Sequence, residues 1–188
     1  MKGIVLYGPP ASGKSTVTAA LNALDPRFAL LRKLKAGNRR GSEYDFVTIE
    51  QLGELRAAGR LLVETYRYGN TYAVDRHRVE ELSQAGQVPI VHMGNVPDIR
   101  CLMESHPWWV TLLWMPRDIC EQRSRQRGDH NTGERLRAWD ETLSDLQAHD
   151  GDIFPLRIRT DQTTPHEAAR RIASGFFTWQ ALAPSHRA

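Results

Sequence analysis

Gly8-Pro9-Pro10-Ala11-Ser12-Gly13-Lys14-Ser15 constrains the fold of this chain more than any other stretch. It satisfies the spacing G-x-x-x-x-G-K-[ST] and lies between an apolar run, Gly3-Ile4-Val5-Leu6-Tyr7, and a helix-like one, Thr16-Val17-Thr18-Ala19-Ala20-Leu21. A strand, a tight loop and a helix in that order turn successive backbone N–H groups inward and aim the positive end of the helix at the same point, which makes a cradle for phosphate oxygens. The Lys14 amine then reaches the β- and γ-phosphates, and the Ser15 hydroxyl is placed to ligate Mg²⁺. Gly8, Pro9, Pro10, Ala11, Ser12, Gly13, Lys14, Ser15 and Thr16 are therefore expected to bind the phosphates of a nucleoside triphosphate, with Mg²⁺ at Ser15.

Downstream, short apolar runs alternate with amphipathic stretches, the pattern of an α/β layer architecture with a mostly parallel sheet. Strands are expected at 2–7, 28–31, 88–93, 109–114 and 155–158, and helices at 14–24, 75–86, 97–105, 117–127, 134–148 and 165–181. Thr164, Pro165 and Glu167 supply the N-cap, first-turn proline and capping-box partner of the last helix, and Thr48 with Gln51 opens a short one through Ala58. Trp108, Trp109 and Trp114, on or beside one strand, read as core, since no basic groove is interleaved with them.

Two stretches break the alternation. Residues 32–74 begin with basic residues and glycines and then offer two strand-like pieces, 60–66 and 70–74, which marks an inserted lobe. Gly128 to Gly133 follows Arg123, Arg125 and Arg127 and reads as a mobile lid. Arg123 and Arg127, four apart, share one helix face and are expected to stabilise the transferring phosphoryl group, whereas Arg125 turns away into solvent.

A net charge of +3 and a pI near 9.1, with cations spread among acids, suit a small anionic substrate rather than a nucleic acid polymer. No apolar run reaches the length of a membrane span, and the first strand leaves no room for a cleavable signal. The two cysteines, Cys101 and Cys120, have no metal-ligand spacing and suit a reducing compartment. A cytoplasmic protein, monomer or homodimer, is expected.

The lobe carries a family resemblance. Arg32-x-x-Lys35-x-Gly37, Gly41 and Glu43-Tyr44-x-Phe46-Val47 resemble the acceptor-phosphate segment of guanylate kinases, R-x-x-R-x-G-E-x-x-G-x-D-Y-x-F-V, without a gap. Gly69-Asn70-Thr71-Tyr72 is similar to that family's G-N-Y-Y, and Arg123-x-x-x-Arg127-Gly128 to its lid entry R-L-x-x-R-G. The resemblance implies that Arg32, Lys35, Tyr44 and Tyr72 hold the phosphate of the acceptor, where two cations and two phenols would satisfy a dianion. Lys35 replaces an arginine fork with a point charge. The later lid arginine of the family has two candidates, Arg135 and Arg137.

The guanine-reading positions of the family fall on Phe28, Val63, His92 and Gly94, so every base-reading group differs. Glu64, beside Val63, falls on the opposite strand face unless a bulge intervenes. His92 is either an acceptor contact or a satisfied strand-end histidine, and no acid stands at the usual strand-end metal position. The resemblance implies a three-layer P-loop kinase fold with a five-stranded parallel core sheet: core 1–31, 75–122 and 136–182, acceptor-binding lobe 32–74, lid 123–135 and tail 183–188. It implies ATP-dependent phosphorylation of a small phosphomonoester, foremost a nucleoside monophosphate. Phosphorylation of ribose 1,5-bisphosphate or another sugar phosphate, phosphorylation of a hydroxyl acceptor and a non-catalytic binding module are the alternatives.

Overall fold

The run before the phosphate loop forms β1 (Gly3–Tyr7), with all five residues buried. Its alternation sets the layers of the molecule, because Ile4 and Leu6 face one side of the sheet while Val5 and Tyr7 face the other. The computed structural model describes residues 2–128, 131–149, 151 and 153–182. After the loop come α1 (Lys14–Leu24), β2 (Phe28–Leu30), β3 (Lys33–Ala36), β4 (Tyr44–Phe46), α2 (Ile49–Ala57), β5 (Leu61–Arg67) and β6 (Asn70–Asp75). The chain continues through α3 (Arg76–Gln84), β7 (Val88–Met93), α4 (Val96–Ser105), β8 (Trp108–Trp114), α5 (Arg117–Gln126), α6 (Thr132–His149), β9 (Leu156–Arg159) and α7 (Pro165–Leu182).

Five parallel strands, in the order β2-β7-β1-β8-β9, make the core sheet, so the expected strands all form and stand in one sheet. On one side Ile4, Leu6, Ile90 and Leu113 pack against Val17 and Leu21 of α1 and Ile172 and Phe176 of α7. On the other, Val5, Tyr7, Val91 and Leu112 pack against α3, α4 and α6 through Val79, Ile99, Leu102 and Leu146. Strands buried on both faces read as continuous apolar runs, which is why they were legible. Trp108 is buried, Trp109 packs on Trp179, and Trp114 packs on Trp139, as core residues do.

The inserted stretch builds a second sheet, β4-β3-β6-β5, with α2 across one face. Leu34 and Ala73, paired in register, pack on Leu52 of α2. Period-two alternation then turns Lys33 and Lys35 to the opposite face, together with their register partners Tyr44, Phe46 and Tyr72. Thr48 and Gln51 form the expected capping box at the start of α2. The lobe contains two strands, β3 and β4, beyond the two pieces expected. Residues 129 and 130 of the expected lid and the tail 183–188 lie outside the described residues.

Among the described residues, no helix is long and apolar enough to cross a membrane. Both cysteines are free thiols.

Candidate active site

The phosphate loop joins the end of β1 to α1. Gly8 has φ +153°, and a Cβ there would stand 2.1 Å from the Leu113 carbonyl oxygen of the neighbouring strand β8, so only glycine lets the loop leave the sheet at this point. Gly13, the N-cap of α1, is left-handed at φ +89° and releases the helix N–H groups toward the loop. The Lys14 amine folds back over the loop and donates to the carbonyls of Gly8 (2.7 Å) and Pro9 (3.0 Å). Burial pushes it down to about 8.

Arg123, on α5, clamps the loop to the turn after β9. Its guanidinium donates to the Ala11 carbonyl (3.1 Å) and to the Thr160 hydroxyl (3.1 Å) and carbonyl (2.6 Å). With Arg127, Gly13, Thr16, Thr163 and Pro165 it lines a cleft of about 290 Å³ on the α7 side of the loop. Arg127 is exposed at the end of α5. Arg125 pairs with Glu121 on the exposed face of the same helix, where its spacing put it.

Between the loop and the lobe lie two adjoining clefts of about 160 and 890 Å³, which share Pro10, Tyr68 and Ala138. Lys14, Lys33, Glu43, Tyr44, Arg67, His92 and Gly94 line the smaller. Arg40, Tyr72, Arg135 and Arg137 line the larger. Lys35 is buried beneath this face: its amine donates to Asn38 Oδ1 (2.7 Å) and the Arg40 carbonyl (2.8 Å) and lies 5.1 Å from the Tyr44 ring centre and 5.6 Å from that of Tyr72. Burial raises both phenols, Tyr44 to about 12. Lys33 lies 5.4 Å from the Tyr72 ring centre, and burial lowers its amine to about 8. Of the two candidate lid arginines, Arg135 is the one whose charge acts on Lys14, while that of Arg137 acts on Glu141.

Arg32 stands apart from the other expected acceptor ligands. It is 51% exposed and lies 3.5 Å from Asp45, on the α2 side of the lobe. The reason is strand periodicity: Arg32 and Lys35 are an odd number of residues apart, so a strand sends them to opposite faces, and Lys33 joins Lys35 instead. Two of the four positions matched to base readers also lie elsewhere. Phe28 is fully buried against Phe176 and Phe177 of α7, and Val63 is buried in the core with Val74 and Val79. A register irregularity does occur between Leu61 and Val63, yet Glu64 points to α2 and pairs with Arg56. Only His92 and Gly94 face the cleft, and the wall at Gly94 is covered by Arg67, which donates to the Gly94 carbonyl (2.9 Å) and to Glu141 (2.5 Å). The Tyr68 hydroxyl also donates to Glu141, at 2.6 Å.

Beside Lys33, Arg67 and Tyr68, a further residue given no role by the sequence expectations, Glu43, completes the site. Glu43, between Gly41 and β4, accepts a hydrogen bond from the Ser15 hydroxyl, and its other oxygen is 3.5 Å from Nδ1 of His92. His92 Nε2 is 2.8 Å from the Thr18 hydroxyl of α1. The His92 ring above all, then the Ser15 hydroxyl, holds the Glu43 carboxyl down near 2, and burial keeps His92 below the usual imidazole range. A hydroxyl and an ionised carboxylate at the mouth of the loop are hard oxygen donors, the kind that suits Mg²⁺.

The phosphate loop, the five-stranded parallel sheet and the inserted lobe define the P-loop kinase fold. No protein-family profile matches the chain. In matched stretches it is 35% identical over 132 residues to the guanylate kinase of Symbiobacterium thermophilum, covering 66% of this chain and 62% of that protein. It is 36% identical over 87 residues to the guanylate kinase of Ralstonia nicotianae (44% and 39%) and 38% over 106 residues to that of Streptomyces kasugaensis (54% and 51%). The chain thus spans less than two thirds of the length of these curated relatives. The crystal structure of guanylate kinase from Anaplasma phagocytophilum superposes with a TM-score of 0.63 over 95% of this chain and 86% of that one, at 19% identity, which supports the fold. By sequence and fold the protein is guanylate kinase-like.

Proposed function

We propose that the protein transfers the γ-phosphoryl group of ATP to the phosphate of a nucleoside monophosphate. The observation that carries this reading is the placement of the lobe face bearing Lys33, Lys35, Tyr44 and Tyr72 across a cleft from Lys14 of the phosphate loop. ATP would lie with its phosphates in the loop and its nucleoside in the cleft beside Arg123, Thr160 and Pro165. The acceptor phosphate would sit on the lobe. Lys33 and the two phenols would bind it, with Lys35 beneath them holding the 38–40 turn in place. Arg32 remains outside this set.

An acceptor phosphate oxygen forms the new bond to Pγ while the bond from Pγ to the β–γ bridging oxygen breaks, giving ADP and a nucleoside diphosphate. A phosphate dianion is already a nucleophile near pH 7, so no general base is needed and catalysis rests on positioning and charge. Lys14, Arg127 and Arg135 would stabilise the charge on the transferring group, and Arg123 would fix the loop that holds it. Ser15, with the phosphates, would hold Mg²⁺, which when bound neutralises charge on the β- and γ-oxygens. At the far end of the cleft Arg67 and Tyr68, both hydrogen-bonded to Glu141, would stand beside the base. A guanidinium suits an acceptor edge such as O6 and N7 of guanine.

An ATP-coupled assay over GMP, dGMP, the pyrimidine monophosphates and ribose 1,5-bisphosphate tests this. The expected result is Lys14-dependent conversion of a nucleoside monophosphate. ATP binding without turnover of any acceptor would make the chain a binding module. Phosphorylation of an unphosphorylated acceptor, indifferent to Lys33→Met, would make it a hydroxyl kinase.

Lys33 also predicts a pH limb. With its amine near 8, the side chain is charged below that pH and neutral above it, so acceptor affinity at saturating nucleotide is expected to fall as pH rises through about 8. Lys33→Met should flatten the limb and weaken acceptor binding at pH 7 by about tenfold, the value of one charge-assisted hydrogen bond. An unchanged limb in the variant would exclude Lys33 from the phosphate site.

A further inference from the structure

Phosphate loops of this kind pair their serine with an acid that helps to hold the metal, commonly at the end of a core strand. Here the strands next to the loop end in Leu6-Tyr7, His92-Met93 and Leu113-Trp114, with no carboxylate among them. Where an acid would stand on β7 there is His92, 8% exposed, whose Nδ1 has no hydrogen-bond partner and is aimed at Glu43 3.5 Å away. Glu43 arrives from the lobe, not from the sheet, and holds the Ser15 hydroxyl. Its approach depends on Gly41, left-handed at φ +100°, where a Cβ would stand 2.9 Å from the Tyr44 ring.

We propose that Glu43 takes over the role of the strand-end acid, so that the metal site is shared between the phosphate loop and the acceptor lobe and is complete only when the lobe lies against the loop. This rests on the phosphotransfer reading and adds to it a coupling: metal held at Ser15 and Glu43 stabilises the closed lobe, and the closed lobe strengthens metal binding by the same factor. His92 is then a positioning residue. It sits where the acid is missing, is anchored to Thr18, and keeps the Glu43 carboxylate turned to Ser15. The donor set is a hydroxyl and a carboxylate, to which bound nucleotide adds phosphate oxygens, and hard oxygen ligands of this kind select Mg²⁺ or Mn²⁺.

Mn²⁺ is the probe, titrated into the full chain saturated with β,γ-imido-ATP while the free-ion EPR signal is followed. Glu43→Gln is expected to weaken Mn²⁺ by about 10- to 100-fold, as loss of a supporting ligand does, and His92→Gln to weaken it less. Glu43→Asp should recover part of the loss, and nucleotide affinity in EDTA should be unchanged in all three variants. Wild-type Mn²⁺ affinity in Glu43→Gln would reduce Glu43 to a latch on Ser15 and overturn the proposal. Loss of nucleotide affinity in EDTA would overturn it too, since Glu43 would then act through the shape of the loop. If the unaltered protein takes up no nucleotide even with Mg²⁺ present, it is the phosphotransfer reading itself that falls.

Discussion

Lys14→Met is expected to lower turnover by about 100- to 1000-fold, the loss that follows removal of one preorganised charge from a site where negative charge develops, or about 2.7–4 kcal/mol of barrier. The fold should survive. The Lys14 amine donates only within its own loop, to the carbonyls of Gly8 and Pro9 and, at 3.5 Å, to the Ser12 hydroxyl, and the shape of that loop is set by Gly8 and Gly13 rather than by the amine. Methionine keeps most of the stem and its packing while removing the charge. Steady-state kinetics with the best acceptor, together with a thermal melt, check both halves. A variant with unchanged turnover would remove Lys14 from the reaction and leave the loop spacing without a catalytic meaning.

What could be read in advance was what is local. The core strands are short apolar runs, the capping boxes at Thr48 and Thr164 lie within four residues, and the phosphate loop is contiguous. The lobe strands β3 and β4 were not legible. They are three or four residues long and alternate apolar with basic or acidic residues, and pairing with each other and with β6 supports them rather than intrinsic propensity. Once β3 is seen to be a strand, the alternation that turns Lys35 to the cleft face turns Lys33 there too and leaves Arg32 beside Asp45 on the opposite face. Glu43 was visible as part of a motif but not as a partner of Ser15, because that contact spans 28 residues of chain and exists only through the way the lobe folds back.

Matching by linear register failed where the backbone path decides the outcome, and Phe28 shows this most sharply. Its position corresponds to a guanine-reading serine, so a linear reading predicts that Phe28→Ser improves guanine recognition. The structure predicts the opposite. Phe28 is fully buried, with its ring 6.1 Å from that of Phe176 in edge-to-face contact and 5.6 Å from that of Phe177, and it seals the layer between β2 and α7. Removing such a ring costs about 3–5 kcal/mol through lost transfer energy and the cavity left behind. A serine hydroxyl in that layer adds the further cost of a polar group placed among apolar side chains. For a chain of this size each kcal/mol lowers the melting temperature by about 2–4 °C, so a drop of about 6–20 °C is expected, with no gain in GMP affinity at temperatures where the variant stays folded. Thermal unfolding followed by circular dichroism and a GMP titration decide it. A variant that kept the parental melting temperature and bound GMP more tightly would put residue 28 in the acceptor cleft and displace β2 from the edge of the core sheet.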